Sequence, residues 1–411
     1  MKKITLSFVA AALAASVASA STITLYQDKD TGAIYTKPGP NRVELGDFVS
    51  AKEVYVQNET IKSKMSKALK GTKVKSKVKT LKFSGKHYLG YTFTNDKTSA
   101  NKDNSEFETR RNYLQVKAYW NKKDYMRLTL DTFQNVNETD GKDKNSWEVR
   151  VKYAYIYLDN ILPYTGVEFG QVHRTWIDWE EHHGWLYRSI SKTFIEDSTA
   201  ADLTNSADLG INFKTKMDYF SSEIGVFNGE GYHGDHSGTE MSYEWRLTAN
   251  ILGTGKKHVH PTENEYFDLS FTGQYNNDNN YKPADSKGTP SIKKWWGIHA
   301  VYNQPMFLIA GMYVDSSSST YNKGKGRGTG YTINGEFRPA KKWSVLGRYD
   351  YWKIENDAYS HAGEDKSQYL AGLAYKYNKN VKFIGNIKSY DAEDIDGKKA
   401  TQYMFTAEVK W

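Results

Sequence analysis

The most constraining feature of this 411-residue chain is an alternation of apolar and polar side chains with a period of two residues. About sixteen segments with this pattern follow one another between residue 79 and the C-terminus. In one of them, Leu114, Val116 and Ala118 are apolar and Lys117 stands between two of them. A period of two is that of a β-strand, because successive side chains point to opposite faces of the sheet. The pattern predicts an all-β fold whose strands each have one apolar and one polar face.

The N-terminus has the three parts of a secretory signal peptide. Lys2 and Lys3 are followed by an apolar run from Ile4 to about Ala15, and then by the small residues Ala18-Ser19-Ala20 of a cleavage site. This apolar run is shorter than the ~20 residues that a membrane-spanning helix needs. We therefore predict that residues 1–20 are a signal peptide, removed on export.

The composition excludes several other classes of protein. Mean hydropathy is −0.73 and no later stretch approaches 18 apolar residues, which excludes a helical membrane protein. The 31 Tyr and 11 Trp are too many for a disordered chain, and the absence of Cys excludes a disulfide framework and thiolate metal sites. A polar but aromatic-rich exported chain fits a membrane β-barrel, whose lipid face uses every second residue and whose rims carry aromatic girdles.

The connections between the predicted strands alternate between short and long. The short ones lie at 121–123, 215–216, 303–305, 339–341 and 378–380, and the long polar ones at 95–106, 135–146, 173–205, 229–240, 276–293, 315–328, 355–366 and 391–399. Short periplasmic turns opposite long external loops are the plan of an outer-membrane barrel, and a soluble β-sandwich has no reason to follow it. We predict a transmembrane antiparallel β-barrel of about 16 strands over residues 79–411, ending at Trp411 on the apolar face of the last strand.

Several blocks of sequence resemble a known porin family. The segment 107–114 (FETRRNYL), followed by Trp120 and Tyr125, resembles the phosphate-selective porin O and P family, as do the segments 167–173 and 189–197. Residues 23–26 and 42–46 are similar to porins typical of epsilon-class proteobacteria. The resemblance implies a sixteen-stranded, trimeric porin of the bacterial outer membrane. It does not imply phosphate selectivity by itself.

The polar faces of the strands predict which residues line the pore. A charge on the lipid side would cost about 2–4 kcal/mol near the middle of the membrane, so the apolar faces are assigned to lipid. The predicted lumen residues are Arg111, Lys117, Arg127, Asp131, Glu148, Arg150, Lys152, Glu244, Arg246, Glu336, Arg338, Arg348 and Asp350. The same rule assigns to lipid the sets Val149, Val151, Tyr153, Tyr155, Tyr157 and Met306, Leu308, Ala310, Met312, Val314. Basic residues outnumber acidic ones in the lumen set, which favours a weak preference for anions.

The third long loop, at about 173–205, is the longest and is rich in aromatic residues. We interpret it as a constriction loop that folds into the barrel; an outer cap or a trimer contact is the alternative. Its candidate constriction residues are Arg174, Asp178, Glu180, Glu181 and Arg188. Its three acids would oppose an anion preference.

The mature N-terminal segment, residues 21–78, differs in character from the rest. It carries a run of lysines, and Ile61, Met65 and Leu69 are spaced for a short amphipathic helix. It could lie in the periplasm or partly plug the barrel, where its charge would attract anionic partners. A solvated linker is an equally good interpretation.

The function predicted from the sequence is passive diffusion of small hydrophilic solutes and ions. Alternatives are a channel specific for phosphate or organic anions, a surface adhesin, and a barrel enzyme with its site at the rim. The expected partners are outer-membrane lipid, lipopolysaccharide, two further copies of the chain, and small solutes or anions. No cofactor, no metal site and no nucleic-acid partner is predicted, and the porin hypothesis implies no catalytic residues.

Overall fold

The structure is a computed structural model, and it describes eleven stretches of the chain. These are residues 23–48, 77–98, 102–134, 147–232, 239, 241–253, 259–278, 291–317, 327–355, 364–392 and 398–411. The chain divides into two compact units, Met1–Ser76 and Lys77–Trp411. The predicted signal peptide and the predicted helix around Met65 lie outside the described residues.

The described part of the first unit is a small antiparallel sheet. Its strands are β1 (Ile23–Asp28), β2 (Ile34–Tyr35) and β3 (Arg42–Phe48), in the order β2-β1-β3. Asp28 closes the first turn, because its carboxylate accepts hydrogen bonds from the backbone N–H groups of Asp30 and Thr31. The sequence did not predict strands in this segment.

The second unit is a closed barrel of sixteen antiparallel strands. The strands are β4 (Thr80–Asp96), β5 (Asn104–Tyr119), β6 (Tyr125–Gln134), β7 (Trp147–Leu162), β8 (Thr165–His173), β9 (Ala207–Lys216), β10 (Phe220–Phe227), β11 (Ser242–Leu252), β12 (Tyr266–Asp278), β13 (Ser291–Gln304), β14 (Phe307–Ser317), β15 (Arg327–Ala340), β16 (Trp343–Ile354), β17 (Asp365–Lys376), β18 (Val381–Ala392) and β19 (Lys398–Lys410). Each strand pairs with its neighbours in sequence, and β19 pairs with β4 to close the barrel. The predicted fold class and strand number are confirmed.

Side chains alternate between an apolar outer surface and a polar interior. On the outside, the rings of Trp245, Phe271, Trp296 and Tyr313 form a row across β11 to β14, with centroids 6.0 to 6.4 Å apart. Such rows are the aromatic girdles of membrane barrels. The closed ladder leaves no strand edge unpaired, as hydrocarbon requires. No helix in the described part of the chain is both long and apolar enough to span a membrane.

Two of the short turns are built by an asparagine at their start. The Asn121 side-chain oxygen accepts from the backbone N–H groups of Lys123 (2.7 Å) and Asp124 (2.8 Å). Asn378 does the same for Asn380 and Val381, both at 2.8 Å. Side-chain closure of this kind lets three or four residues reverse the chain without a long loop.

The connection between β11 and β12 departs from the predicted plan. It lies at the end of the barrel where the other connections are short, yet it runs from 253 to 265. The Pro261 carbonyl accepts hydrogen bonds from Asn303 Nδ2 (2.9 Å) and Arg338 Nη1 (3.2 Å), whose side chains point into the barrel. Val259 packs against the buried interior cluster described below. The part of this turn that the structure describes, 259–265, therefore folds inward at the barrel end.

A β-bulge in β7 corrects one predicted lipid face. Thr129 pairs with Tyr153 but the next residue, Leu130, pairs with Val151, so Lys152 is an extra residue in the ladder. The extra residue reverses the alternation: Val149 and Val151 face outward, whereas the tyrosines that follow face inward. Three tyrosines that the sequence analysis assigned to lipid therefore lie in the interior: Tyr153, Tyr155 and Tyr157. Tyr153 is 6% exposed and Tyr155 is 2% exposed.

The prediction for β14 was also wrong, by one residue in register. Leu308, Met312 and Val314 face the interior and are at most 3% exposed, while Ile309 and Tyr313 face outward at 54% and 44%. Both faces of β14 are apolar because its inner face packs against loop 3 rather than against water. Alternation alone cannot orient such a strand.

Candidate pore and constriction loop

Loop 3, which we define as residues 174–206 between β8 and β9, lies inside the barrel. It contains one short helix, α1 (Ile177–His183), and most of its residues are buried. Trp176, Ile177 and Phe194 are each at most 2% exposed. A loop this buried on a barrel has folded into the lumen, as the constriction interpretation expected.

The apolar side of loop 3 packs on the wall formed by β12 to β16. Trp176, Trp179 and Phe194 join one cluster with inward residues of these strands, namely Tyr266, Trp295, Val301, Leu308, Ala310, Met312, Val314, Trp352 and Ile354. A second cluster joins Trp185 and Tyr187 to residues of β16, β17 and β18. Burying aromatic side chains of this size supplies most of the energy that holds the loop.

Hydrogen bonds fix the loop to the same wall. Tyr187 donates to Glu336 on β15 (2.6 Å), and Asn334 Nδ2 donates to the Gly184 carbonyl (3.0 Å). Thr199 donates to Gln368 on β17 (2.7 Å). Arg348, Lys366 and Lys388 bind further loop acceptors, which are Lys192 O, Ser198 O and the Asp197 carboxylate. The loop thus reaches from its root at β8 and β9 across the lumen to β18.

Two buried arginines organise the loop itself. Arg174, at its start, lies between Asp208 on β9 (2.8 Å) and Glu244 on β11 (3.2 Å). Arg188 binds Glu181 and Glu196 of the same loop. All of these charged groups except Glu181 are under 9% exposed, and burial of charge is tolerated only with such partners.

A second bulge adds a residue to the lumen that the sequence analysis missed. On β5, Tyr88 pairs with Arg111 and Leu89 pairs with Thr109, so Arg110 is the extra residue and points inward beside Arg111. Arg110 binds Glu108 (2.6 Å), Thr406 of β19 (2.8 Å) and the Ser189 carbonyl of loop 3 (3.1 Å). Arg110 therefore binds loop 3 to β5, on the side of the barrel opposite the strands β12 to β16 on which the aromatic residues of the loop pack.

Half of the predicted lumen cations are paired with acids. Arg246 binds Glu223 (3.3 Å), Arg348 binds Asp350 (2.6 Å), Arg338 binds Glu336 (2.8 Å) and Arg150 binds Asp131 (3.0 Å). Lys152 instead donates to Ser206 Oγ (2.7 Å) and lies over the Tyr232 ring. Each of the four ion pairs carries little net charge into the lumen.

Four cations of β4, β5 and β6 other than Arg110 are different, because in the part of the chain that the structure describes they form no ion pair. Arg111 stacks on Tyr88 and Tyr113, with its guanidinium 5.1 and 4.5 Å from the ring centroids. Lys117 lies 4.6 Å from the Tyr125 ring. We call Lys86, Arg111, Lys117 and Arg127 the unpaired cations. Tyrosine faces contribute roughly 0.5–2 kcal/mol to holding such cations without neutralising them.

Arg127 joins the unpaired cations to the root of loop 3. It donates to Thr129 Oγ1 (3.0 Å) and to the Tyr155 hydroxyl (3.1 Å), and its Nη1 lies 3.1 Å from His173 Nε2. His173 also lies 3.4 Å from Glu168 on β8, which in turn binds Lys214. The His173 ring thus separates the Arg127 guanidinium from the nearest wall carboxylate.

The predicted acids of loop 3 have three different environments. Asp178 is 38% exposed and lies 3.6 Å from His173, so it is the acid most open to the lumen. Glu180 is buried and accepts from the Trp176 indole; burial raises the pKa of Glu180 to about 7. Glu181 is bound to Arg188. Burial opposes the ionised form of Glu196 as well, but the Arg188 guanidinium brings the pKa of Glu196 down to about 2.

Within the described residues no three His, Asp or Glu side chains converge as metal ligands.

Comparison with solved structures identifies the fold. The chain is similar to OmpF of Salmonella typhi, solved with daunomycin (13% identity, TM-score 0.57, covering 80% of this chain and 97% of that one). It is similar to an anion-selective porin from Comamonas acidovorans (11% identity, TM-score 0.55, covering 80% of this chain and 98% of that one). It is also similar to the trimer form of OmpT of Vibrio cholerae (16% identity, TM-score 0.53, covering 81% of this chain and 99% of that one). No protein-family profile matches the chain, and no curated protein matches it.

These similarities establish the fold, a closed barrel like that of the porins among the similar structures. They agree with the apolar outer band, the aromatic girdles and the closed ladder described above. The particular porin O and P family expected from the sequence is not singled out by any of them. What passes through the barrel has to be argued from the residues that line it.

Proposed function

We propose that this protein is a porin, a water-filled channel for passive diffusion of small hydrophilic solutes and ions, with a weak preference for anions. The observation that carries the preference is the set of unpaired cations on β4 to β6, compared with ion pairs elsewhere in the interior. A cluster of one sign in a low-dielectric wall raises the local concentration of counter-ions. Asp178 on loop 3 opposes them, which is why the preference is weak.

The proposal includes the partners of the channel. We take the protein to be a homotrimer in outer-membrane lipid and lipopolysaccharide, with no catalytic role. The similar fold of the OmpT trimer and of the anion-selective Comamonas porin supports this.

Neutralising three of the unpaired cations should reverse the ion preference. We expect the wild-type channel to give a reversal potential favouring chloride in a KCl gradient across a planar bilayer. The triple variant Arg111→Gln, Lys117→Gln, Arg127→Gln should shift it towards potassium, because Asp178 then dominates the lumen. Lys123→Gln is the matched control, since Lys123 is a paired cation on a short turn outside the lumen.

Two outcomes would contradict this proposal. A potassium preference in the wild type, or a triple variant that behaves like the wild type, would remove the role of the unpaired cations. Protein that is folded but gives no conductance would remove the channel itself and leave the adhesin or the enzyme.

One observation favours a second candidate, a channel specific for phosphate or organic anions. The Arg111 guanidinium is held by two ring faces, and in the described structure no side-chain oxygen accepts from its N–H groups. A guanidinium with free donors can bind an oxyanion through two parallel hydrogen bonds. If this site operates, millimolar phosphate should lower the chloride current of the wild type and not that of Arg111→Gln. Equal currents in both would leave the passive porin.

A further inference from the structure

Three tyrosine rings line the inner face of β5, β6 and β7 near the end of the barrel where the connections are short. Tyr119 ends β5, Tyr125 begins β6, and Tyr157 lies on β7. Tyr119 pairs with Tyr125 and Tyr125 pairs with Tyr157 across the ladder, so the three side chains are at one height. The Tyr125 ring centroid is 5.0 Å from that of Tyr119 and 5.2 Å from that of Tyr157. We call these three residues the tyrosine row.

The tyrosine row differs from other inward tyrosines because its rings reach the aqueous lumen. The three rings of the row are half-buried, whereas Tyr153 and Tyr155, farther along β7, are buried. The extra residue in β7 is what turns Tyr157 inward. A ring face that water reaches on an inner wall offers apolar area to a passing solute, because displacing water from that face is favourable.

Two lysines stand beside the tyrosine row. Lys82 on β4 and Lys117 on β5 are direct cross-strand partners. Lys82 Nζ lies 4.9 Å from the Tyr119 ring centroid, and Lys117 Nζ lies 4.6 Å from that of Tyr125. Neither lysine forms an ion pair among the residues that the structure describes. Like charges directly opposite each other on a sheet are unfavourable, so this pair of lysines favours an anion between them.

The carboxylates on the neighbouring strands are bound to other cations. Asp159, at the end of β7, binds Lys123 of the adjacent turn, and Glu168 on β8 binds Lys214 on β9. Asp178 is open to the lumen, but it belongs to loop 3 and not to the strands that carry the tyrosine row. The wall at the tyrosine row therefore keeps a net positive charge beside its ring faces.

The chemistry of this wall fits a flat aromatic ring that carries a carboxylate. A carboxylate binds an ammonium group more strongly than a ring face does, so an incoming acid draws the Lys117 ammonium away from Tyr125. The flexible four-carbon stem of the lysine allows that exchange. The ring of the acid then lies against the tyrosine face that the ammonium has left, in the offset or tilted geometry that aromatic pairs favour. An aliphatic acid gains the ionic contact alone.

We infer that the tyrosine row, with Lys82 and Lys117, is a binding site for aromatic carboxylates that pass through the channel. The inference rests on the proposed porin and names a class of solute that a preference for anions alone does not predict. Attraction by charge treats benzoate and cyclohexanecarboxylate alike, because the two acids have the same charge and nearly the same size. Stacking on a tyrosine face separates them by roughly two- to tenfold in affinity, the range for an aromatic pair.

Block of the chloride current in planar bilayers tests this inference. Sodium benzoate should reach half-block at a concentration roughly two- to tenfold lower than sodium cyclohexanecarboxylate does. Equal concentrations for the two acids, or no block by either, would overturn the inference and leave the passive porin in place. Saturation-transfer NMR on the detergent-solubilised barrel compares the binding of the same two acids without conductance. Selective binding of benzoate by a barrel that carries no current would contradict the proposed channel and support the site.

Substitutions at Tyr125 and Lys117 separate the two parts of the site. Tyr125→Leu should remove the difference between the two acids, whereas Tyr125→Phe, which keeps the ring face, should retain it. Lys117→Gln should weaken block by both acids to the same extent. Tyr331→Leu is the matched control, because Tyr331 lies on the outer surface of β15 and is 39% exposed, and it should behave as the wild type. A folded, conducting Tyr125→Leu variant that still preferred benzoate as the wild type does would show that the tyrosine row is not the site.

Discussion

Replacing residues 175–205 with a short Gly-Ser linker is expected to raise the single-channel conductance several-fold. Loop 3 extends from β8 across the lumen to β18, and its aromatic side chains occupy the interior beside β12 to β16. In a barrel of sixteen strands the wall alone encloses a wide aqueous channel, so the loop sets the narrowest cross-section. Single-channel recordings in planar bilayers at fixed salt measure the change.

A smaller change in the same loop serves as the control for that experiment. Thr199→Ala removes one hydrogen bond to Gln368 on β17 and leaves every aromatic contact of the loop in place. We expect its conductance to equal that of the wild type. The shortened variant exposes apolar wall residues such as Val314 and Trp352, so it should unfold at a lower temperature while remaining a barrel. A folded shortened variant with wild-type conductance would show that the loop does not narrow the pore.

The barrel could be predicted from the sequence because its signal is repeated. Sixteen alternating segments and five short turns each indicate the same architecture, so an error in one segment does not change the predicted fold. The position of loop 3 was predictable from its length, and its aromatic content indicated that it packs against something. Its contact surface was not predictable, because residues such as Trp352 and Leu370 that receive it are distant in sequence.

The two bulges show where alternation fails and what signal could have located them. On β5 the outward apolar residues change from odd to even numbers between Phe107 and Leu114, and on β7 they change between Val151 and Ile156. Such a change of parity requires one extra residue. On β5 it is Arg110, which was therefore left out of the predicted lumen although it contacts loop 3.

The distinction between paired and unpaired cations could not be read from the sequence. Arg174 and Glu244 are 70 positions apart, and only the folding of loop 3 brings them together. Conversely, Arg111 and Arg150 are both basic residues on inward faces, yet one contacts tyrosines and the other contacts Asp131. Because pairing depends on registers between strands and on the loop, composition overstated the number of cations that can attract anions.

Arg174→Met is expected to lower the free energy of unfolding by about 3–5 kcal/mol, the range for losing one partner of a buried ion pair. The guanidinium lies between Asp208 and Glu244, and all three side chains are at most 4% exposed. Methionine fills much of the volume but leaves two carboxylates without a cation in a medium that solvates them poorly. Urea titration of the detergent-refolded barrel, followed by tryptophan fluorescence, gives the difference.

Arg150→Met is the matched comparison, because it removes the same charge from a pair whose cation, unlike Arg174, is reached by water. Arg150 is 29% exposed beside Asp131, which is 7% exposed, so solvent screens that interaction in part and its loss should cost less than the loss of Arg174. The contrast between the two variants isolates burial as the cause, since the substitution is identical. If both variants lost the same stability, the root of loop 3 would not depend on Arg174, and its hold on the wall would come from the aromatic clusters alone.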